Sequence, residues 1–128
     1  MGSSGQGHKF QSSTALVYTD LQGCLILTFP SELAKSLMDR VKHETLERCV
    51  KKHVIAVIFD LTAVELLDLT EWSWLIQLSQ GVRLMGGQPW FVGLRPSLVT
   101  TLISLGAEIN GVEYALGVED AILLSSQT

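Results

Sequence analysis

The order of segments along the chain predicts one α/β domain, with a small, mostly parallel mixed β-sheet and about four helices packed on it. Three observations carry this expectation. Two short apolar runs stand side by side near the start, and strand-like and helix-like segments alternate after them, the pattern of parallel strands joined by helical crossovers. Two of the strand-like segments, residues 54–59 and 89–94, are apolar without polar alternation, as strands covered on both faces are. Finally, the 128 residues are 47% hydrophobic and only 17% charged, against about 25% charged in an average soluble domain. That balance excludes disorder over most of the chain, because disorder needs low hydrophobicity and high charge.

The first two runs, residues 15–18 and 24–29, are joined by Thr19, Asp20, Leu21, Gln22 and Gly23. Asp and Gly supply turn chemistry, so a hairpin or two adjacent strands is expected. Pro30, Ser31 and Glu32 then open a helix, with Ser31 as the expected N-cap. Ala34, Met38, Val41, Thr45 or Leu46, and Cys49 fall on its apolar stripe, and Lys35, Lys42, Glu47 and Lys51 fall elsewhere. Residues 54–59 form a central strand that Asp60 ends. Asp68 and Glu71 have the spacing of a capping box, so a second helix is expected from about Thr70 to Met85, stopped by Gly86 and Gly87. The strand at 89–94 precedes a third helix with Pro96 at its first position, apolar Leu98, Val99, Leu102, Ile103 and Leu105, and Gly106 just past its end. Residues 112–115 suit a short strand. Residues 118–124 suit a last helix with Glu119 and Asp120 in the first turn, where acids favour the dipole. Residues 1–13 read as a polar, flexible leader without the apolar stretch of a signal peptide, 14–125 as the domain, and 126–128 as a short tail.

Composition also limits function. Thirteen acids against nine bases give a net charge of −4, too acidic for a general nucleic-acid binder, which needs a basic surface to displace counterions. Lys35, Arg40, Lys42, Arg48, Lys51 and Lys52 crowd one stretch, interleaved with Glu32, Asp39, Glu44 and Glu47. Mixed signs at helical spacing read as a solvated helix face. No apolar run approaches the roughly 20 residues of a membrane-spanning helix, so no direct membrane insertion is expected. Two cysteines, Cys24 and Cys49, without a C-x-x-C spacing, read as buried, reduced thiols of a cytoplasmic protein.

No catalytic residue, metal site or cofactor is expected. His8, His43 and His53 follow no zinc spacing, and no phosphate loop, dinucleotide fingerprint or nucleophile elbow is present. One region stands out: the connection from the 54–59 strand to the second helix carries Asp60, Asp68, Thr70 and Glu71. Binding sites in open α/β sheets gather at the carboxyl ends of strands, beside helix N-termini. A phosphate added there would meet the helix dipole but be repelled by Asp68 and Glu71. A second reading, in which Asp68 and Thr70 are only caps, stays open on these grounds.

Residues 57–70, from Val57 through Asp60 and Val64 to Asp68 and Thr70, resemble the signature of STAS domains (sulfate transporter and anti-sigma-factor antagonist): a strand, an aspartate, a spaced valine, and an aspartate at the start of a helix. The resemblance continues through residues 82–86, 91–96, 101–106 and 115–121, covers about residues 14–125, and is nearest to the stressosome subset of the RsbS/RsbR type. It implies a non-enzymatic, cytoplasmic signalling or scaffold module that self-assembles with paralogous STAS proteins, as a homo- or hetero-oligomer, and sequesters a switch serine/threonine kinase of the histidine-kinase-like ATPase fold.

The chain departs from that family at one place. The usual phosphoacceptor directly follows the aspartate, and here that position is Leu69, which has no hydroxyl. Thr70 lies one residue later, about 100° further round the helix. A second acceptor found in some scaffold relatives matches Thr101, for which a phosphosite and a plain helix residue are both open. The partner-binding residues expected are Asp68, Leu69, Thr70, Glu71, Trp72 and Trp74. Because Trp72, Trp74, Leu75 and Leu78 are not expected to face one sheet together, some of them are expected at a contact with another subunit. The alternatives are a regulatory STAS component of an anion or lipid transport system, and a small ligand-binding module or enzyme.

Overall fold

A computed structural model describes residues 16–127. The expected leader (1–13), His8, the start of the first run at Ala15 and the final residue of the tail lie outside the described residues. A five-stranded sheet forms in chain order: β1 (Val17–Leu21), β2 (Cys24–Thr28), β3 (Ala56–Asp60), β4 (Gln88–Val92) and β5 (Glu113–Ala115). β1 runs antiparallel to β2, and β2 through β5 are parallel. The helices are α1 (Lys35–Lys52), α2 (Leu69–Leu84), α3 (Pro96–Ser104) and α4 (Val118–Ser126).

This order decides which face each helix covers. Every crossover steps the sheet in the same direction, and parallel crossovers are right-handed, so α1, α2 and α3 belong on one face. Their apolar residues do form one core with Leu25, Leu27, Val57, Phe59 and Phe91. The helix α4 follows the last strand and closes the other face, where Ala121 and Ile122 meet Cys24, Ile26, Ala56, Ile58, Trp90 and Val92. Successive residues of β2, β3 and β4 thus alternate between two cores, which is why these strands are apolar throughout. Register aligns Leu27 with Phe59 and Phe59 with Phe91, stacking the large side chains in one row.

The hairpin turn is tighter than the sequence suggests. Only Gln22 and Gly23 lie between paired Leu21 and Cys24, and both have positive φ (53° and 81°), the conformation that matches the strand twist in a two-residue hairpin loop. The first helix starts later than expected. Ser31 does not cap it; Ala34 occupies the N-cap without a side-chain bond. Phe29 N–H still donates to Asp60 O at 3.0 Å, and Phe29, Pro30 and Leu33 are buried. The chain leaves β2 beside the end of β3, bends at Ser31 and Glu32, and seats Leu33 before the helix starts. The apolar stripe of α1 is correspondingly Leu37, Val41, Thr45 and Cys49, with exposed Ala34 outside it. The central strand likewise begins at Ala56, because Ile55 is half exposed and its N–H closes on Gly23 O.

The charged face of α1 is solvated, and its charges pair within the helix: Arg48 with Glu44 at 3.2 Å, and Lys51 with Glu47 at 3.3 Å. Cys24 and Cys49 are free and buried. Burial pushes both thiols above their ordinary range, which keeps them protonated and unreactive. On α3, Leu98 and Leu102 point inward, but Ile103 and Leu105 are more than half exposed, against expectation. A nine-residue helix presents only one narrow stripe to the sheet.

Candidate functional site

The site begins where β3 ends. Asp60 Oδ1 accepts from the Thr62 backbone N–H at 3.1 Å and from the Thr62 hydroxyl at 2.6 Å, a local turn that redirects the chain. Leu61, Val64 and Leu67 then drop into the core at three-residue intervals, while Leu66 between them stays outside. Gly93 at the end of β4 approaches this turn so closely that a Cβ there would collide with the Thr62 hydroxyl, and its φ is +76°. Only glycine meets both conditions. The β3–α2 connection is therefore pinned from beneath and from the side.

The connection delivers Asp68 to the start of α2. Its carboxylate accepts from Glu71 N–H at 2.7 Å, and the Glu71 carboxylate accepts from Asp68 N–H at 3.0 Å. This reciprocal capping box, expected from the spacing, satisfies two backbone donors at the helix end. Asp68 and Glu71 thus have a capping role whatever else they do.

With the cap fixed, Leu69 (39% exposed) and Thr70 face solvent on the first turn. They border an open groove of about 750 Å³ between the start of α1 and the first two turns of α2. Asp68, Leu69, Thr70, Glu71 and Trp74 come together on its α2 side, and Lys35, Met38 and Asp39 on its α1 side. No local pattern pointed to these α1 residues. Lys35 and Asp39 read as part of a solvated face, and only the packing of α1 beside α2 brings them to the cap.

Two expectations change. Trp72 is not on the groove: it is 2% exposed, its indole N–H donates to Glu108 O at 2.6 Å, and its ring meets Phe91 edge-on at 5.4 Å. It offers no surface to a partner, because position 72 points into the sheet while 70 and 73 point out. Nor do Trp72, Leu75 and Leu78 need a second subunit, since one helix face carries all three into the sheet core. Trp74 is half-buried, edge-on to Phe29 at 6.4 Å, and keeps an edge on the groove. Ser73, Gln77 and Gln80 lie exposed on the outer side of α2, and Arg83 and Leu84 are exposed in its last turn. Thr101 stands apart on α3, exposed, with its hydroxyl donating to Ser97 O at 3.0 Å.

Among the described residues no cluster of His, Cys, Asp and Glu is suited to a metal ion. None of their helices is long and apolar enough to cross a membrane.

A five-stranded sheet with helices on both faces and a capped helix after its central strand is the architecture of a STAS domain. The STAS family model matches residues 15–117, and the chain belongs to that family. Among curated proteins it is similar to the RsbT co-antagonist protein RsbRA of Bacillus subtilis, 29% identical over 111 residues, which are 79% of this chain and 39% of that protein. The chain thus spans about two fifths of that relative's length. Among solved structures, RsbS of Moorella thermoacetica superimposes with a TM-score of 0.74 at 19% identity, covering 88% of this chain and 98% of that one. The murine anion transporter Slc26a9 superimposes with 0.69 at 18% identity, covering 86% of this chain and 19% of that one. These likenesses, at such identities, concern the fold.

Proposed function

We propose that this protein is a non-enzymatic, cytoplasmic signalling scaffold of the stressosome type, which assembles with paralogous STAS domains and holds a switch serine/threonine kinase of the histidine-kinase-like ATPase fold at the α1–α2 groove. Kinship with RsbRA, by name a co-antagonist of RsbT, favours this reading over a transporter component. The single observation that carries the site is the first turn of α2. A reciprocal cap holds Asp68 and Glu71 in place, and Leu69 and Thr70 stand exposed beside a groove that α1 completes.

In this reading the phosphoacceptor position is occupied by Leu69, so the switch does not act there. Thr70 and Thr101 are exposed hydroxyls on α2 and α3 and are the acceptors proposed in its place. A phosphate of about −1.5 to −2 charge at Thr70 would stand next to Asp68 and Glu71, weakening the hold of any partner seated on the groove.

Three measurements test the proposal. Sedimentation of the chain, alone and mixed with its paralogous STAS proteins, is expected to show assembly. A pull-down with the switch kinase of the same organism is expected to retain it, and mass spectrometry after incubation with ATP to find phosphate on Thr70 or Thr101. A chain that stays monomeric in every mixture and retains no kinase overturns the reading.

A further inference from the structure

The segment between α3 and β5 is held by side chains from other elements. Ala107 and Val112 pack against the core at its two ends, but residues 108–111 between them are exposed. Among the described residues no backbone–backbone hydrogen bond reaches residues 108–111. Three side chains hold them instead, each through a backbone carbonyl. Trp72 Nε1–H donates to Glu108 O and Tyr114 O–H to Ile109 O, each at 2.6 Å, and the Arg83 guanidinium donates to Gly111 O. Trp72 and Arg83 stand near opposite ends of α2, so the segment is strapped along that helix. Gly111, at φ +90° with open space where a Cβ would lie, gives the strap a pivot.

Such ties let go early. Each is a single hydrogen bond, and where water replaces the lost partner its net worth is small. Segments with exposed backbone and few buried contacts open locally, before the whole fold does. Release here has a directed consequence, because one fastener is a core residue. Trp72 is 2% exposed and lies in the first turn of α2, where its backbone N–H donates to Asp68 O at 3.0 Å. One residue therefore closes the strap with its ring and the start of α2 with its backbone.

We propose that residues 108–111 form a strap that releases as a unit and is coupled through Trp72 to the first turn of α2. Seated, it steadies the turn that displays Leu69 and Thr70; released, it loosens that turn. A partner on the groove and anything that lifts the strap then bias one another, since coupling between two sites is reciprocal. Only that consequence depends on the groove being a partner's seat; the strap and its tie to α2 stand without it.

The test follows hydrogen exchange by NMR in the full chain with no partner present. The Trp72 indole N–H reports the strap, the Glu71 and Trp72 backbone amides report the start of α2, and the amides of residues 57–59 report global unfolding. In the parent chain the indole is expected to exchange faster than residues 57–59 and with little dependence on urea, the mark of local opening. Arg83→Ala and Tyr114→Phe each remove one fastener at an exposed residue. Each is expected to speed the indole and the two α2 amides alike, about fivefold for the loss of one ordinary hydrogen bond, at the same shallow urea dependence. The proposal is overturned if the indole exchanges only as slowly and as steeply in urea as residues 57–59, if neither variant speeds it, or if the α2 amides keep the parent rate.

Discussion

The indole N–H of Trp72 donates to the Glu108 carbonyl at 2.6 Å, tying the first turn of α2 to the segment that follows α3. The bond is made by a ring that also meets Phe91 edge-on, so one side chain joins the helix, the sheet and the loop. Trp90 makes the opposite arrangement on the other face. It is buried, and its indole N–H has no hydrogen-bond partner among the described residues.

The two tryptophans should therefore respond differently to the same change. Trp72→Phe leaves the Glu108 carbonyl without its donor and is expected to cost about 1–3 kcal/mol. Trp90→Phe removes a buried donor that was unsatisfied, which offsets the lost ring volume, and is expected to stay within about 1 kcal/mol of the parent. Urea unfolding of both variants reads the difference directly.

The cap at α2 can be tested without reference to any partner. Asp68→Ala removes the acceptor for Glu71 N–H and is expected to cost about 1 kcal/mol, whereas Asp68→Asn retains most of the stability. Equal losses in the two variants in thermal unfolding would contradict a capping role.

Gly93→Ala places a methyl against Thr62 at a backbone angle that side chains rarely adopt. A loss of about 2–4 kcal/mol is expected from strain and overpacking together. Because the collision is with Thr62, adding Thr62→Gly should restore part of it, leaving the backbone strain. A double-mutant cycle in denaturant measures that coupling.

Alkaline pH should weaken the fold. Burial raises the Cys24 and Cys49 thiols above their ordinary value of 9.0, and Tyr18 and Tyr114 above 10.0. A raised folded value means that the native state holds protons that the unfolded chain releases. Stability is thus full below about pH 9 and falls as pH rises through the thiol and then the phenol range. Unfolding midpoints between pH 7 and 11 check the sign, and Cys24→Ala with Cys49→Ala should flatten the earlier part of the fall.

At the groove, Leu69→Glu and Thr70→Glu place a carboxylate beside Asp68 and Glu71. Each is expected to weaken kinase retention about tenfold or more while shifting the unfolding midpoint little, since both side chains are exposed. Retention unchanged in both variants would place the partner elsewhere.

Much of this molecule was legible residue by residue. The apolar runs of β2, β3 and β4, the Asp68–Glu71 box and the Pro96 start of α3 are local signals, and each operates through bonds or contacts within a few residues. The late start of α1 was hidden, because it depends on Leu33 being seated in a core built from strands distant in sequence. The inward direction of Trp72 was hidden for a similar reason. Periodicity shows that position 72 differs from 70 and 73, but not which side meets the sheet.

By itself the sequence determined the α/β class, the order of elements, the STAS resemblance and the hydroxyl-free residue at position 69, since these rest on composition, periodicity and identity. Only the tertiary structure decided that α1 completes the groove with Lys35, Met38 and Asp39, that Trp72 belongs to the core, and that Gly93 must be glycine. Those are contacts between segments brought together by the register of parallel strands, and no local pattern encodes them.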